Sequence, residues 1–320
     1  MAWSLPELSE RILAGDARAI AKGISHAEDG GAAELLPLLY RRGGRGCVIG
    51  ITGPPGAGKS TLVDKMTRVF RSRGKSVGIV AVDPTSPFTG GAVLGDRIRM
   101  QELCQDPGVF IRSMATRGAL GGLSRATADA IEILDAAGKD VVLVETVGVG
   151  QDEIEVSLVA HTVCVVFVPG LGDEIQAMKA GIMEIGDVFV VNKSDRPGSS
   201  RTVKELHAML TLTLGMGQEA PEIQKTIAES GEGVTELCDA VDRHMTRMRA
   251  LPHEARGSWE ERLRRQARER LRGIIKDTLS RRIEENLLTQ ADDEIVRMRA
   301  RETDPYSSAS KLMHGTLPAC

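Results

Sequence analysis

A glycine-rich motif at residues 53–60 is the clearest chemical signal in the sequence. The segment GPPGAGKS follows an apolar run, RGCVIGIT, and precedes a helical pattern. It matches G-x-x-x-x-G-K-[S/T] in full, a loop whose backbone N–H groups surround a phosphate. In such a loop Lys59 reaches the β- and γ-phosphate oxygens, and the Ser60 hydroxyl ligates Mg²⁺. The predicted phosphate-binding residues are Gly53, Pro55, Gly56, Ala57, Gly58, Lys59, Ser60 and Thr61.

A second motif, NKSD at residues 192–195, indicates which base is bound. It ends the apolar run DVFVV, as the guanine-recognition pattern N-K-x-D does. The Asp195 carboxylate can accept from guanine N1–H and from the 2-amino group, which adenine lacks. A site built around such hydrogen bonds rejects analogues that lack them by roughly 10⁴–10⁵. The candidate guanine-binding residues are Asn192, Lys193 and Asp195, together with Glu229 and Ser230 in the loop TIAESGEGV.

Three acidic residues are candidates for the Mg²⁺ shell and for positioning the attacking water. Glu145 ends the apolar run DVVLVE, and Gly148 follows where an N–H could meet the γ-phosphate. Asp83 ends the run VGIVAVD, and Asp96 follows in GGAVLGDRIRM. As alternatives, Asp83 is a turn former before proline and Asp96 is a helix cap. We predict catalytic roles for Lys59, Glu145, Asp83 and Asp96, with the division among the acids left open.

The segment after Glu145 also predicts a slow reaction. Val149 follows Gly148 where many GTPases have a water-orienting glutamine, and the first glutamine is Gln151. A partner that supplies or reorders catalytic groups accelerates other GTPases by about 10³–10⁵. We therefore expect slow intrinsic turnover that depends on a partner.

The elements that must position these residues alternate along the chain. Short apolar runs begin at RGCVIGITG and are separated by helical stretches, which indicates βαβ units and a mainly parallel sheet. Continuous rather than alternating apolar character predicts strands covered on both faces by helices. The further predicted strands are KSVGIVAVDP, VFIRSMA, DVVLVETVG, HTVCVVFVPG, DVFVVNKSD and EIQKTIAES.

The two ends of the chain differ from this middle region. Residues 1–46 show amphipathic helical spacing, and the segment from Trp259 to about Glu302 is rich in charge. Within it an apolar residue, Leu, Ile or Ala, recurs every four residues from Leu263 to Leu287, which indicates a helical stripe. This stripe predicts either helices packed on their own domain or a dimerising arm. We predict an N-terminal helical extension (1–46), a P-loop GTPase domain (47–252) and a C-terminal dimerisation arm (253–320).

Composition excludes several classes of function. A net charge of −3 and an aromatic content of 3% argue against nucleic-acid binding. The apolar runs are far shorter than the ~20 residues of a membrane-spanning helix. Five scattered cysteines are typical of reduced thiols, so we predict a cytoplasmic location without membrane attachment.

Several segments together carry a family resemblance. These are ITGPPGAGKSTLVD, VAVDPTSPFTGGAVLGDRIRM, VLVETVGVGQDE, VPGLGDEIQAMKAGIMEIGD and VNKSD, in this order. The sequence resembles the MeaB/ArgK-type P-loop GTPases over nearly its whole length. The combination of DPTSP, GDRIRM and ETVGVGQ is far more specific than the P-loop alone.

The resemblance implies properties that composition does not. Family members bind and hydrolyse GTP with Mg²⁺, and they dimerise through C-terminal helices. They couple nucleotide state to adenosylcobalamin loading, protection and rescue of methylmalonyl-CoA mutase or a related acyl-CoA mutase. By the same resemblance, Glu145 matches the switch acid, and Asp83 and Asp96 match metal-proximal acids. Asp173, Gln176 and Lys179 match a mobile, partner-facing switch.

Three alternatives use related chemistry. A nickel metallochaperone GTPase would need a Cys/His capture motif, which the sequence lacks. A protein-targeting GTPase would need a different switch sequence. An ATP-dependent transport accessory or kinase conflicts with NKSD, because that motif favours guanine.

Overall fold

The computed structural model describes residues 3–83, 102–115, 125–146, 155–170, 182–213, 220–250, 257–286 and 291–314. In these ranges seven strands form one parallel sheet in the order β3-β2-β4-β1-β5-β6-β7. The strands are β1 Cys47–Thr52, β2 Val77–Asp83, β3 Val109–Ala115, β4 Val141–Glu145, β5 Thr162–Phe167, β6 Val188–Val191 and β7 Glu222–Lys225. The predicted α/β class and the predicted strands are confirmed.

Helices cover both faces of this sheet. The helices in the described ranges of the chain are α1 Leu5–Leu13, α2 Ala17–His26, α3 Ala32–Leu39, α4 Lys59–Ser72, α5 Arg125–Ala136, α6 Ile182–Ile185, α7 Ser199–Thr213, α8 Val234–Ala250, α9 Gly257–Asn286, α10 Asp292–Arg299 and α11 Pro305–His314. Within the described ranges, none has the length and apolar composition needed to traverse a bilayer.

Burial on both faces explains why the central strands are continuously apolar. Successive side chains of a strand point to opposite faces. On β5, Val163 and Val165 join one hydrophobic core, whereas Cys164 and Val166 join the other. A polar residue at any of these positions would be buried, so the alternation of a half-exposed strand is absent from β5.

The predicted N-terminal helices are present and pack on the sheet side that α5 also covers. Ile12, Ile20 and Leu35 are fully buried in the same core as Leu134 of α5. Asp16 begins α2 by accepting from the backbone N–H groups of the helix's first turn, at 2.8 and 3.1 Å. Such a cap typically stabilises a helix by about 1 kcal/mol.

The strand order places a crossover beside β1. The chain passes from β4 on one side of β1 to β5 on the other side. In open parallel sheets, such a reversal leaves a crevice at the carboxyl ends of the strands, where ligands bind. The P-loop motif follows β1, so it lies at this crevice.

The chain divides into two compact units, Met1–Arg262 and Leu263–Cys320. In the second unit, Glu294 of α10 accepts from Arg297 at 3.0 Å and from Lys311 of α11. The predicted division of the chain at residues 46 and 252 stays a prediction.

A buried ionic cluster lies at the amino-terminal edge of the sheet within the first unit. The Asp187 carboxylate accepts from Val163 N at 2.8 Å and from two Arg262 nitrogens at 2.7 and 2.8 Å. His244 Nε2 lies 3.4 Å from the same carboxylate. Since the side chain of Asp187 is only 11% exposed, these donors compensate its loss of water. The cluster fixes the first turns of α9 to β5 and α8.

A partly buried histidine adjoins this cluster. His161 Nδ1 accepts from Val48 N at 3.1 Å, which requires an unprotonated nitrogen. Burial, followed by the charge of Arg249, lowers the pKa of His161 to about 4.

This histidine predicts that stability falls in mild acid. Its pKa is below the unfolded value of about 6.5, so the stabilisation is complete above pH 6.5 and is lost towards pH 4. Between pH 7.5 and pH 5, His161 should reduce the free energy of unfolding by about 2 kcal/mol. Urea unfolding of His161→Gln should show that much less pH dependence. The exposed His207→Gln is the control, and equal pH dependence in parent and His161→Gln would contradict the assignment.

Candidate functional site

A cavity of about 510 Å³ opens at the carboxyl ends of β1, β2, β4 and β6. It brings together the P-loop, the acid after β4 and the NKSD motif, which lie far apart in sequence. Its lining comprises Pro55, Gly56, Gly58, Lys59, Ser60, Thr61, Ala81, Val82, Glu145, Thr146, Asn192, Lys193, Asp195, Arg196, Ile227, Ala228 and Glu229. The cavity is large enough for a nucleotide-sized ligand.

The phosphate-binding loop has the geometry that its glycines allow. Gly53 has φ of +141°, and a Cβ there would lie 2.2 Å from Val166 O. Gly58 precedes α4, and no side chain caps this helix. The N–H groups at this helix start, with the helix dipole, can bind a phosphate. Gly53 and Ala57 are buried within the loop and are not among the residues that line the cavity.

The side chain of Lys59 supplies a positive charge at this loop. It is 6% exposed, and its Nζ donates to Gly53 O at 2.8 Å and Pro54 O at 3.0 Å. These carbonyl contacts hold the ammonium group at the loop. Phosphate oxygens bound there would be charge-assisted acceptors, which are stronger partners than neutral carbonyls.

Two of the residues predicted to lie beside Mg²⁺, Ser60 and Glu145, contact each other in the cavity. Ser60 Oγ donates to Glu145 Oε1 at 2.6 Å, and Glu145 is 5% exposed at the end of β4. A hydroxyl and a carboxylate are hard oxygen ligands, and Mg²⁺ commonly takes one or two protein ligands together with phosphate oxygens. The pair therefore fits Mg²⁺. Asp83 is the last residue of β2, and its side chain is not among those that the structure describes.

Asn192 connects the P-loop to the predicted base loop. Its Nδ2 donates to Ala57 O at 2.8 Å. Its Oδ1 accepts from Thr226 Oγ1 at 3.1 Å and Ala228 N at 3.0 Å. At 1% exposure the amide needs these partners, since an unsatisfied buried polar group costs about 1–3 kcal/mol.

Lys193 and Asp195 of NKSD also line the cavity. Lys193 has a positive φ of 55°, and its Nζ donates to Gly56 O at 2.7 Å. Asp195 is exposed and lines the cavity together with Glu229. Ser230 lies in the same turn but outside the lining, and its hydroxyl donates to Ile227 O at 3.2 Å.

Some predicted residues lie outside the described part of the chain. They are Asp96, Gly148, Asp173, Gln176 and Lys179.

Sequence reasoning did not select several lining residues. Thr146 and Arg196 directly follow the selected Glu145 and Asp195, so extending each motif by one residue would have found them. Ala81 and Val82 carry no such signal, because apolar strand residues are normally core residues.

Comparison with known proteins identifies the family. The family model described as "Methylmalonyl Co-A mutase-associated GTPase MeaB" matches residues 17–287. The chain belongs to the MeaB family. A Pyrococcus abyssi protein named as a GTPase is 45% identical over 315 residues, which cover 97% of this chain and 96% of that protein.

Two further similarities are to an animal protein and to a solved structure. The Mus musculus protein "Methylmalonic aciduria type A homolog, mitochondrial" is 36% identical over 239 residues, or 73% of this chain and 54% of that protein. The crystal structure of an LAO/AO transport system kinase has a TM-score of 0.68 at 24% identity, covering 97% of this chain and 96% of its own. At this identity the second similarity supports the P-loop NTPase fold alone.

The contact between Gly58 and Asn192 predicts unequal effects of two P-loop substitutions. Gly58 and Gly56 have φ of +87° and +75°, so alanine at either costs about 1–2 kcal/mol in backbone strain. A Cβ at Gly58 would also lie 2.5 Å from Asn192 Nδ2, whereas one at Gly56 meets nothing within 4 Å. Gly58→Ala should therefore cost about 1–3 kcal/mol more than Gly56→Ala. Urea unfolding without nucleotide measures both, and equal losses would contradict the Asn192 connection.

Proposed function

We propose that this MeaB-family protein binds GTP and GDP with Mg²⁺ and hydrolyses GTP slowly. Its nucleotide state gates adenosylcobalamin loading, protection and reactivation of a cobalamin-dependent acyl-CoA mutase, with methylmalonyl-CoA mutase as the primary candidate. The observation that carries the nucleotide part is Asn192, whose side chain joins the P-loop to the candidate guanine loop in one cavity. The family match carries the mutase part.

The cavity supports one orientation of the nucleotide. The α- and β-phosphates lie over the P-loop and the N-terminus of α4, where Lys59 supplies the positive charge. The base lies at the other end of the cavity, where the exposed Asp195 carboxylate can accept from guanine N1–H and the 2-amino group. Backbone groups of the loop around Ala228 and Glu229 complete the base site.

Ser60 and Glu145 would hold Mg²⁺ or orient its water ligands. The ion supplies neutralisation of phosphate charge when it is bound. The 2.6 Å contact between the two side chains keeps the carboxylate beside the P-loop hydroxyl. Asp83 and Asp96 stay candidates for the same shell.

Slow turnover follows from the groups that line the cavity. The described lining contains Lys59 and Glu145 but no glutamine that could orient a water molecule. We propose that the mutase provides the missing reordering through the segment of Asp173, Gln176 and Lys179. A partner-dependent rate suits a protein that times cofactor delivery rather than one that produces a metabolite.

A homodimer is proposed from the surface of α9. Leu271, Ile275, Leu279 and Ile283 recur every four residues and are 42–59% exposed. Four large aliphatic side chains along one helix form an unusually apolar exposed stripe. Pairing with a second copy would remove them from water. Sedimentation velocity of the purified chain tests this proposal.

Base specificity can be tested at Asp195. Asp195→Asn should lower GDP affinity by about 100-fold or more and improve binding of xanthosine diphosphate, because the amide can donate to xanthine O2. Glu229→Gln removes another exposed carboxylate of the cavity and should have a much smaller effect. Titration with fluorescent GDP, XDP and ADP measures the change. Unchanged selectivity in Asp195→Asn would refute the base-site assignment.

Partner dependence can be tested with purified methylmalonyl-CoA mutase and adenosylcobalamin. The GTPase rate should rise by at least 10-fold, within the range of partner effects in other GTPases, which reach about 10³–10⁵. Lys59→Ala should show no turnover with or without mutase. Absence of both acceleration and complex formation would remove the mutase as client but leave the nucleotide site intact.

A further inference from the structure

We propose that Thr52 and Thr146 form a positioning pair that keeps the Glu145 carboxylate in register with the phosphate-binding loop. The inference rests on the GTP chemistry proposed above. Thr146 Oγ1 donates to Thr52 Oγ1 at 3.2 Å, and the residues are 1% and 0% exposed, respectively. Neither residue belongs to the P-loop or NKSD motif.

The pair lies where two neighbouring strands end. Thr52 is the last residue of β1, and Thr146 directly follows the last residue of β4. The strands pair Ile51 with Glu145, and Thr146 N donates to Ile51 O at 3.1 Å. The hydroxyl contact adds a side-chain connection at this end of the ladder, just before Gly53 begins the phosphate-binding loop.

Glu145 is held from two sides as a result. Its Oε1 accepts from Ser60 at the start of α4, and the next residue, Thr146, contacts Thr52 at the end of β1. The two contacts therefore link the end of β4 to both ends of the loop that surrounds the phosphates. Thr146 also lines the cavity. Misplacement of a catalytic group by about 1 Å can cost about 100-fold in rate.

The chemistry of the pair favours positioning over packing. Valine has nearly the shape of threonine and would fill the same buried space without a hydroxyl. A buried hydroxyl is costly unless it is hydrogen-bonded, whereas replacing both partners with apolar groups can be nearly neutral. The hydrogen bond between the two threonines therefore orients the ends of β1 and β4, and it adds no hydrophobic stability beyond that of two valines. A directional contact is useful here because Glu145 must remain beside Ser60.

Valine substitutions separate these two roles. The variants are Thr146→Val, Thr52→Val and the double variant, with Thr146→Ser retaining the hydroxyl. Thr67→Val is the matched control, since Thr67 is fully buried in α4 and its hydroxyl donates to Val63 O at 2.7 Å within the same helix. Single-turnover GTP hydrolysis at saturating nucleotide, GDP affinity and melting temperature are measured for each.

The positioning role predicts a specific pattern. Thr146→Val should lower the hydrolysis rate about 10-fold or more, while GDP affinity changes less than about threefold. The double variant should recover the melting temperature lost by either single variant but stay slow. Thr146→Ser and Thr67→Val should react at nearly the parent rate. A double variant with the parent rate, or an equal rate loss in Thr67→Val, would overturn the proposal.

Amide hydrogen exchange of the nucleotide-free protein provides a second test that needs no GTP turnover. Thr52→Val should speed exchange of the Thr146 amide several-fold, because its bond to Ile51 O loses the adjacent hydroxyl contact. Unchanged exchange would overturn the pair. If the parent protein failed to hydrolyse GTP, the proposed function would fall, but this exchange experiment would still decide whether the pair holds the end of β4.

Discussion

A single buried amide, that of Asn192, connects loops that come from distant parts of the chain. It follows β6, donates to the P-loop after β1, and accepts from the loop after β7. Parallel strands end at the same edge of the sheet, so their loops gather there without any covalent link between them. Because the amide is almost fully buried, every loop that contacts it must keep a partner in place. The cavity depends on that constraint.

The two walls of the cavity are held by different physical means. On the base side, Asn192 and the Lys193 contact to Gly56 O orient backbone groups. On the metal side, Ser60 contacts Glu145 directly, and Thr146 contacts Thr52 one residue further on. The opposite edge of the sheet is secured by the charged Asp187–Arg262 pair, far from the nucleotide cavity. Holding Arg262 and binding a nucleotide therefore use separate groups of residues.

Local sequence was sufficient for the strands and for the P-loop. Each strand is a short continuous apolar run, because both faces are covered, and the P-loop requires glycines and a lysine at contiguous positions. Side-chain partners over long distances were not predictable in this way. Nothing in the sequence joins Asp187 to Arg262, or Thr52 to Thr146, because each pair depends on which strands become neighbours. Arg196 and Thr146 each lie one residue beyond a motif acid, so the motif positions alone do not predict that they line the cavity.

The sequence by itself determined the parallel α/β class, the phosphate-binding loop, the guanine motif and the family. Those properties reside in contiguous residues whose types and spacing are required by backbone geometry and ligand chemistry. The tertiary structure alone decided that Asn192 bridges two loops, that Glu145 meets Ser60, and that Glu229 rather than Ser230 lines the cavity. These outcomes depend on strand order and burial, which bring together groups that are far apart along the chain.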